Sequence, residues 1–517
     1  MALLDKTMLE TALIVPILVP ILIAVLFVLL DRLMPSEKKD LTKLVTNAIS
    51  VLGALGLGGL ALFYMEYHLS TGTEVFENND LLTLVMDDIS LFFFVLFSAI
   101  FVPVVLFSLA YMDKDRTTPI YYALLFVIFA GLVAIVIVGD FFSLFIAWEI
   151  MALASYSLVS YERHERFTIE AGFKYLIMSS FGSLAFLFGL TYIYGELGTL
   201  NFSEIAGITI PDTFIHNFAI IAIVVGFGVT GGIIFLNQWL PDAHPSAPSP
   251  VSALLSGIVV KAGIYGILRS GMLLFPGQFM QDWNFMYTEW SLLLIILGLA
   301  TATEGNIMMI VQFRREKGGK DIKRILAYST TIHLGYILIA LGVGGQLGIT
   351  AAIFYAFNHA FTKAMLFLVS GYILVQYGTR DLDKLRGIGR KDTYLAIVAS
   401  IGILSLGGLP FTGGFIAKLL VIFALVDTSP AWGDLTYVMT FVLLLNALVA
   451  FFSALWFVKF LVTDPEPEDE PLPTPETSPV KTWLMRGIVG VLALVTLVLG
   501  VIPADVIITI SNMAAAL

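Results

Sequence analysis

Fourteen apolar runs, each long enough to cross a lipid bilayer as a helix, constrain this chain more than any other feature of its sequence. The hydrocarbon layer is about 30 Å thick and a helix rises about 1.5 Å per residue, so roughly 20 apolar residues make one crossing. The runs fall at about 8–30, 43–67, 88–111, 119–138, 141–160, 167–195, 217–238, 250–272, 288–311, 324–342, 347–377, 394–425, 436–461 and 485–510. Of 517 residues, 58% are hydrophobic and 13% charged, which excludes a water-soluble globule. The fold read from this is an all-α polytopic membrane protein with 14 transmembrane helices. The first run follows a nearly uncharged start and has no small-residue cleavage site near its end, so it reads as a retained helix and not as a signal peptide.

Basic residues test that count. Segments after odd-numbered runs carry Arg32, Lys38, Lys39 and Lys43, then Lys114 and Arg116, then Arg163 and Arg166; later ones carry Arg314, Arg315, Lys317, Lys320, Lys323 and Arg324, then Arg380, Lys384, Arg386, Arg390 and Lys391. Segments after even-numbered runs (68–87, 139–140, 196–216, 273–287, 343–346 and 426–435) hold no Lys or Arg. By the positive-inside rule the odd segments face the cytoplasm, and both termini lie on the non-cytoplasmic side of the cytoplasmic membrane. The segment between runs seven and eight is cytoplasmic by parity yet lacks Lys and Arg, as a stretch folded back into protein would.

Two runs read as broken helices. The seventh is interrupted by GFGVTGG (226–232) and then by WLP, which brings in Thr230 and Pro241; the twelfth is interrupted by LGGLPFTGG (406–414), around Pro410. Pro and paired Gly free backbone groups in mid-membrane, which is tolerable only inside protein or facing water. The odd spacing between the two breaks fits two inverted five-helix repeats. The expected organisation is 1–118 for helices one to three, 119–272 for the first repeat, 288–461 for the second, 463–481 for an acidic, Pro-rich cytoplasmic linker, and 485–510 for a last helix.

An ionisable side chain near the bilayer centre costs about 3 kcal/mol on insertion scales, so each one present calls for a reason. Glu149 falls mid-way along run five and Lys261 mid-way along run eight, too deep to snorkel. Lys174 lies about two turns into run six, where a long side chain can also reach the interface. His333 and His359 fall on runs ten and eleven, Lys363 one turn after His359, and Lys418 just after the break in run twelve. Together they read as a polar file that trades protons as neighbouring charges change.

Other signals are weaker. Gly226, Gly228 and Gly231 match GxGxxG but follow no strand, so dinucleotide binding is rejected. His244 and Asp242 are too few for a metal site, and Asp140 reads as a helix-start acid. Glu304 has two candidate partners, Arg314 and Lys261. With no cysteine, the chain supplies no disulfide, thiolate metal site or iron–sulfur cluster, so cofactors and metal clusters are expected only in partner subunits. The net charge of −11 sits in loops and gives no footing for nucleic acid.

The stretches WLPDAHPSAPSPVSALLSGIVVKAGIYGILR, KDIKRILAYSTTIHLGY, FNHAFTKAMLFLVSGYIL and LPFTGGFIAK resemble the antiporter-like membrane subunits shared by respiratory complex I, membrane-bound hydrogenases and Mrp-type cation/proton antiporters. The resemblance spans about residues 85–460, and the wording is most like the Mrp D-type subunit and its archaeal hydrogenase-type counterpart. It implies two inverted repeats and a hydrated charged axis, with Glu149, Lys261, His333, His359 and Lys418 matching the family's polar positions. It also exposes a departure: the family usually places a lysine nine residues before the WLPDAH tryptophan, and here Thr230 stands there.

The expected function is movement of protons, with exchange for sodium left open, by one subunit of a multi-subunit membrane complex. The alternatives are a structural scaffold within the same complex, which Thr230 favours, and a free-standing transporter for an organic substrate. No catalytic centre is expected in this chain; oxidoreductase chemistry, if the complex performs any, belongs to its partners.

Overall fold

Helix makes up nearly the whole architecture, because in lipid the backbone must satisfy its own hydrogen bonds. The computed structural model describes residues 13–34, 38–71, 75–79, 82–115, 117–163, 165–208, 213–274, 289–316, 319–428, 432–463 and 478–516. The start of the first run, the 275–288 segment and residues 464–477 of the acidic linker lie outside the described residues. Twelve described helices are long and apolar enough to cross a membrane, and three shorter apolar ones accompany them.

The chain divides into two units. The first holds residues 1–229 with 265–274. Its helices are α1 (Val15–Leu33), α2 (Lys39–Thr71), α3 (Asp88–Tyr111), α4 (Thr118–Ile137), α5 (Phe141–Val159), α6 (Arg166–Leu197) and most of α7 (Phe214–Thr230). Side-chain caps set two starts: Asp87 accepts from Ser90 N at 2.8 Å, and Asp140 from Ser143 N at 2.7 Å. Asp140 is thus a helix cap. Gly226 serves close packing: a Cβ there would lie 2.9 Å from the Gly182 carbonyl oxygen of α6.

One element departs from the all-α expectation. Strands β1 (Val75–Asn79) and β2 (Leu82–Met86) pair antiparallel, Val75 opposite Met86, just before α3. Leu84 and Met86 point into the first unit, and Gly139 N donates to Thr83 O at 2.8 Å. Five residues per strand, with no clean apolar alternation in either, are too short and irregular for a helix-length pattern search to register.

The second unit holds residues 230–264 and 275–517. Helix α8 (Ser249–Leu274) is buried along its length and contributes to both units. It contains a π-helical turn at Leu255–Val259. Then come α9 (Glu289–Phe313), α10 (Ile322–Val343), α11 (Gly345–Tyr377), α12 (Thr393–Gly407), α13 (Gly413–Asp427), α14 (Asp434–Val462), α15 (Pro479–Val501) and α16 (Ala504–Ala516). Helices α10 and α11 are almost wholly buried, whereas α14 turns Phe441, Leu445, Leu448 and Phe452 outward, as a lipid-facing helix does. The last apolar run, read as one helix over 485–510, is two: the chain turns at Ile502 and Pro503 between α15 and α16. Proline at the junction cannot donate to the preceding turn.

The two breaks share a backbone device. After α7 the chain runs irregularly through 231–239, with Gly232 at φ +66° and Phe235 at φ +68°; between α12 and α13, Gly408 has φ +87° and Phe411 φ +66°. Each is a left-handed Gly followed three residues later by a left-handed Phe. A non-glycine residue held there costs roughly 1–2 kcal/mol, so the surroundings must fix it. The seventh run therefore ends its main helix at Thr230, and Pro241 opens the short helix Leu240–Ser246. There its missing N–H is harmless.

Candidate functional site

Cations with no carboxylate beside them define the site. Lys261, Lys363 and Lys418 are 0%, 0% and 7% exposed, and none of them forms an ion pair among the described residues. Each is held by carbonyl or hydroxyl oxygens, or by imidazole. All three lie in the second unit with His244, Lys323, His333 and His359.

Helix irregularities create two of the lysine seats. In the π turn of α8 the carbonyl of Ser256 accepts from Lys261 Nζ at 2.5 Å, five residues on. At the break after α12 the freed carbonyls of Leu406 and Gly407 accept from Lys418 Nζ at 2.9 and 2.8 Å. A helix C-terminus leaves its last carbonyls unpaired, so this end offers acceptors to a donor such as the lysine amine. Gly408 is required twice over, by its φ and because a Cβ there would lie 3.0 Å from Lys418 Cδ.

The groups between these seats form a file. Lys261 Nζ stands 2.5 Å from His359 Nδ1, and the His359 and His333 rings lie 5.2 Å apart. His333 Nδ1 is 2.6 Å from the Tyr355 hydroxyl, and His333 meets the Tyr336 ring at 5.8 Å. Lys418 Nζ lies 5.7 Å above that same Tyr336 ring. In the other direction Ser256 Oγ is 2.8 Å from Thr330 Oγ1, and the neighbouring Ser329 hydroxyl accepts from Lys363. Lys363 also donates to Leu326 O at 2.8 Å.

The file extends beyond the residues the sequence singles out. Lys323, which reads as a loop basic residue from sequence, is fully buried and donates to Ala247 O at 2.6 Å. His244, weighed only as a metal ligand, is fully buried and stacks on Phe367 at 4.5 Å. Neither of its ring nitrogens has a hydrogen-bond partner among the described residues, and the same holds for His359 Nε2. A helical signal was available: Lys323, Thr330 and His333 recur at intervals of seven and three, one stripe of α10.

The segment between α7 and α8 is buried from Ala243 to Pro250, which accounts for its lack of Lys and Arg. Its acceptors are met from outside: Asp242 by Arg324 at 3.0 Å and Pro245 O by Arg380 at 2.8 Å. Glu304 pairs with neither Arg314 nor Lys261 among the described residues; it accepts from Asn237 Nδ2 at 2.9 Å, while Thr301 Oγ1 accepts from Ile234 N at 3.0 Å. Helix α9 thereby pins the irregular stretch.

The remaining sequence candidates sit elsewhere. Lys174 is 47% exposed and pairs with Glu170 one turn earlier at 2.9 Å, so it stands on the outer face of α6 and not in a buried file. Glu149, half-buried on α5 in the first unit, keeps one carboxylate oxygen without a hydrogen-bond partner among the described residues. Thr230, the last residue of α7, is buried and offers only a hydroxyl.

Apolar helices, some of them broken, around a buried row of cations define a multi-pass membrane protein with charge held in its interior. The family model described as NADH:quinone oxidoreductase/Mrp antiporter, TM matches residues 138–444, and the chain belongs to that family. Over 374 residues, 72% of this chain and 71% of the relative, it is 32% identical to the D-type Na(+)/H(+) antiporter subunit of Alkalihalophilus pseudofirmus. It is 28% identical to the N-type F(420)H(2) dehydrogenase subunit of Methanosarcina mazei over 80% of this chain and 81% of that one. In fold it is similar to a chain of the membrane-bound sulfane sulfur reductase, an archaeal respiratory membrane complex, with TM-score 0.83, 23% identity and coverage of 99% and 98%. A chain of the Mrp complex from Dietzia sp. gives TM-score 0.79, 23% identity and coverage of 98% and 97%.

Proposed function

We propose that this chain moves protons through the membrane as one antiporter-like subunit of a multi-subunit complex, along Lys261, His359, His333 and Lys418. The observation that carries this reading is the polar file between two lysines seated on freed carbonyls, hydrogen-bonded from Lys261 to His359 and in ring contact from His359 through His333 and Tyr336 to Lys418. Four or more cationic groups in a low-dielectric interior cannot all be charged without counter-ions, so the file holds fewer protons than sites. A proton leaves Lys261 Nζ for His359 Nδ1 as the Nε2 proton passes on to His333, and Lys418 receives it. Ordered water satisfies His359 Nε2 and His244 and bridges the longer gaps.

In this reading His244, Lys323 and Lys363 form the uptake arm, and Glu149 is the acid of the first unit. The chain makes fourteen crossings in the cytoplasmic membrane, with both termini on the non-cytoplasmic side. Two inverted repeats each carry one Gly-x-x-Phe break, which the matched φ values support. Partner subunits supply any metal clusters, and sodium exchanged for protons remains within this scheme.

The test is Lys418→Ala in the intact complex, reconstituted in vesicles and followed with a pH-sensitive dye and sodium flux. The expected loss is at least about tenfold, less than the full effect of a positioned acid–base group because water at the break substitutes in part. Unchanged flux would overturn the route.

Thr230 favours a second reading, a scaffold that no longer moves ions, since a hydroxyl cannot carry the charge the family places there. Thr230→Lys separates the two. A translocating subunit is expected to gain protons moved per turnover; a scaffold leaves that ratio untouched.

A further inference from the structure

Three buried oxygens lie on the way from Lys418 to the start of α14, and none has a hydrogen-bond partner among the described residues: the Tyr336 hydroxyl, Asn306 Oδ1 and Thr440 Oγ1. Their residues are 1%, 3% and 9% exposed. Lys418 Nζ lies 5.7 Å from the Tyr336 ring, and the Asn306 amide stands beside the Tyr336 hydroxyl. Asn306 on α9 is held by α14: its Nδ2 donates to Asn446 Oδ1 at 2.8 Å and to Asn446 O at 3.1 Å. Asn446 Nδ2 in turn donates to Thr303 Oγ1 at 3.0 Å. With the amide nitrogen engaged in this way, Asn306 Oδ1 is left as an acceptor next to a hydroxyl with nothing to donate to.

Helix α14 continues the line. Thr436, Thr440 and Asn446 are all buried on one side of it, opposite the outward Phe441, Leu445 and Phe452. From Asn446 back to Thr436 the helix rises about 15 Å, half of the ~30 Å hydrocarbon layer, and Thr436 lies in the first turn. There its hydroxyl is 3.2 Å from Thr428 Oγ1, which donates to Leu425 O at 2.6 Å at the end of α13. Polar side chains thus step from the level of Asn446 to the membrane face where α13 ends and α14 begins. Hydrogen bonding between helices, the ordinary use of Asn and Thr in a membrane, accounts for Asn446 and Thr303 but not for three oxygens that touch no partner.

We propose that Tyr336, Asn306 and Thr440 hold a line of water through which Lys418 loses its proton to that membrane face. This rests on the reading in which Lys418 receives the proton from the histidines. An N–H bond of the ammonium breaks as an O–H bond forms on the first water. Each water, and the Tyr336 hydroxyl, takes up one proton and passes on another, so one proton leaves and Lys418 is returned as the neutral amine. Asn306 and Thr440 carry no proton themselves; they are positioning residues that orient the water.

The experiment uses the intact complex in vesicles with a pH-sensitive dye. Tyr336→Phe and Thr440→Val keep the shape of the side chain and remove only a hydroxyl without a partner, so the melting temperature is expected to stay the same or rise. Proton flux is expected to fall about fivefold in each, the worth of one hydrogen bond. The chain has no cysteine, so Thr440→Cys gives it a single thiol. Silver ion, small enough to follow water, is expected to protect that thiol from alkylation after unfolding, and not the thiol of Leu445→Cys on the outward side. Full flux in both hydroxyl variants, a melting temperature that falls along with flux, or equal silver protection of the two thiols overturns the inference. Lys418→Ala, run alongside, separates the failures: full flux there overturns the translocation route and this arm with it, whereas lost flux there with full flux in the hydroxyl variants overturns the water line alone.

Discussion

Replacing Lys261 with methionine is expected to lower ion movement by the intact complex about a hundredfold or more, the range of a positioned acid–base group, while the complex still assembles. Methionine matches the length of the lysine stem and fills the same fully buried space. It removes the donor to Ser256 O and the group 2.5 Å from His359 Nδ1. The stability change is a difference of two terms. Two buried acceptors lose a partner, at about 1–3 kcal/mol each, and a buried amine no longer has to be desolvated. The transport loss has no such offset, because Lys261 is the basic group in hydrogen-bond contact with His359, while the His333 ring stands 5.2 Å away. Dye-reported proton uptake and melting temperature, measured together, separate the two. A normal rate with normal assembly would remove Lys261 from the route.

Asp87→Asn is expected to destabilise the first unit by roughly 3–5 kcal/mol, the cost of breaking a buried ion pair from one side. Arg269 near the end of α8 forks onto Asp87, Nη1 to Oδ2 at 2.5 Å and Nη2 to Oδ1 at 2.9 Å. It also donates to Ser90 Oγ at 2.9 Å and to the Tyr265 hydroxyl at 3.1 Å. Asparagine leaves that guanidinium buried with no counter-charge and weakens the cap on α3. Burial pushes the Asp87 carboxyl up, but the guanidinium beside it outweighs this and holds it below the usual carboxylate range. A depressed carboxylate stabilises the fold above its unfolded value, about 3.9, and the gain is lost as pH falls through the lower folded value. Melting temperatures from pH 7 downward should therefore show an acid-side decline below about pH 4 in the unaltered protein that Asp87→Asn lacks. Equal melting of the two proteins at pH 7 would mean the pair contributes nothing.

Parts of the site were legible because deep charge is rare in lipid. Lys261, His333, His359, Lys363 and Lys418 stand out in any apolar run, and the structure brings all five into one buried unit. Lys174 stands out for the same reason but lies on an exposed face with Glu170, since depth along a run does not say which side of the helix a residue takes. Lys323 and His244 escape notice because they fall next to loops, where charge is expected, and only the inward fold of 243–250 buries them. The repeated Gly-Gly-x-x-Phe at 231–235 and 407–411 is present as letters, but its meaning lies in matching positive φ values.

Hydropathy alone set the class of molecule, because about 20 apolar residues in succession have one low-energy form in a bilayer, a helix with its own backbone satisfied. The motifs set the family. What the linear order left open was which acceptor each buried cation meets, since a carbonyl becomes available only where a helix unwinds or bulges, at Ser256 in α8 and at Leu406 and Gly407 after α12. Those seats lie only five to twelve residues from their lysines, but they open only where packing holds the helix out of regular form, and residue spacing carries no record of that.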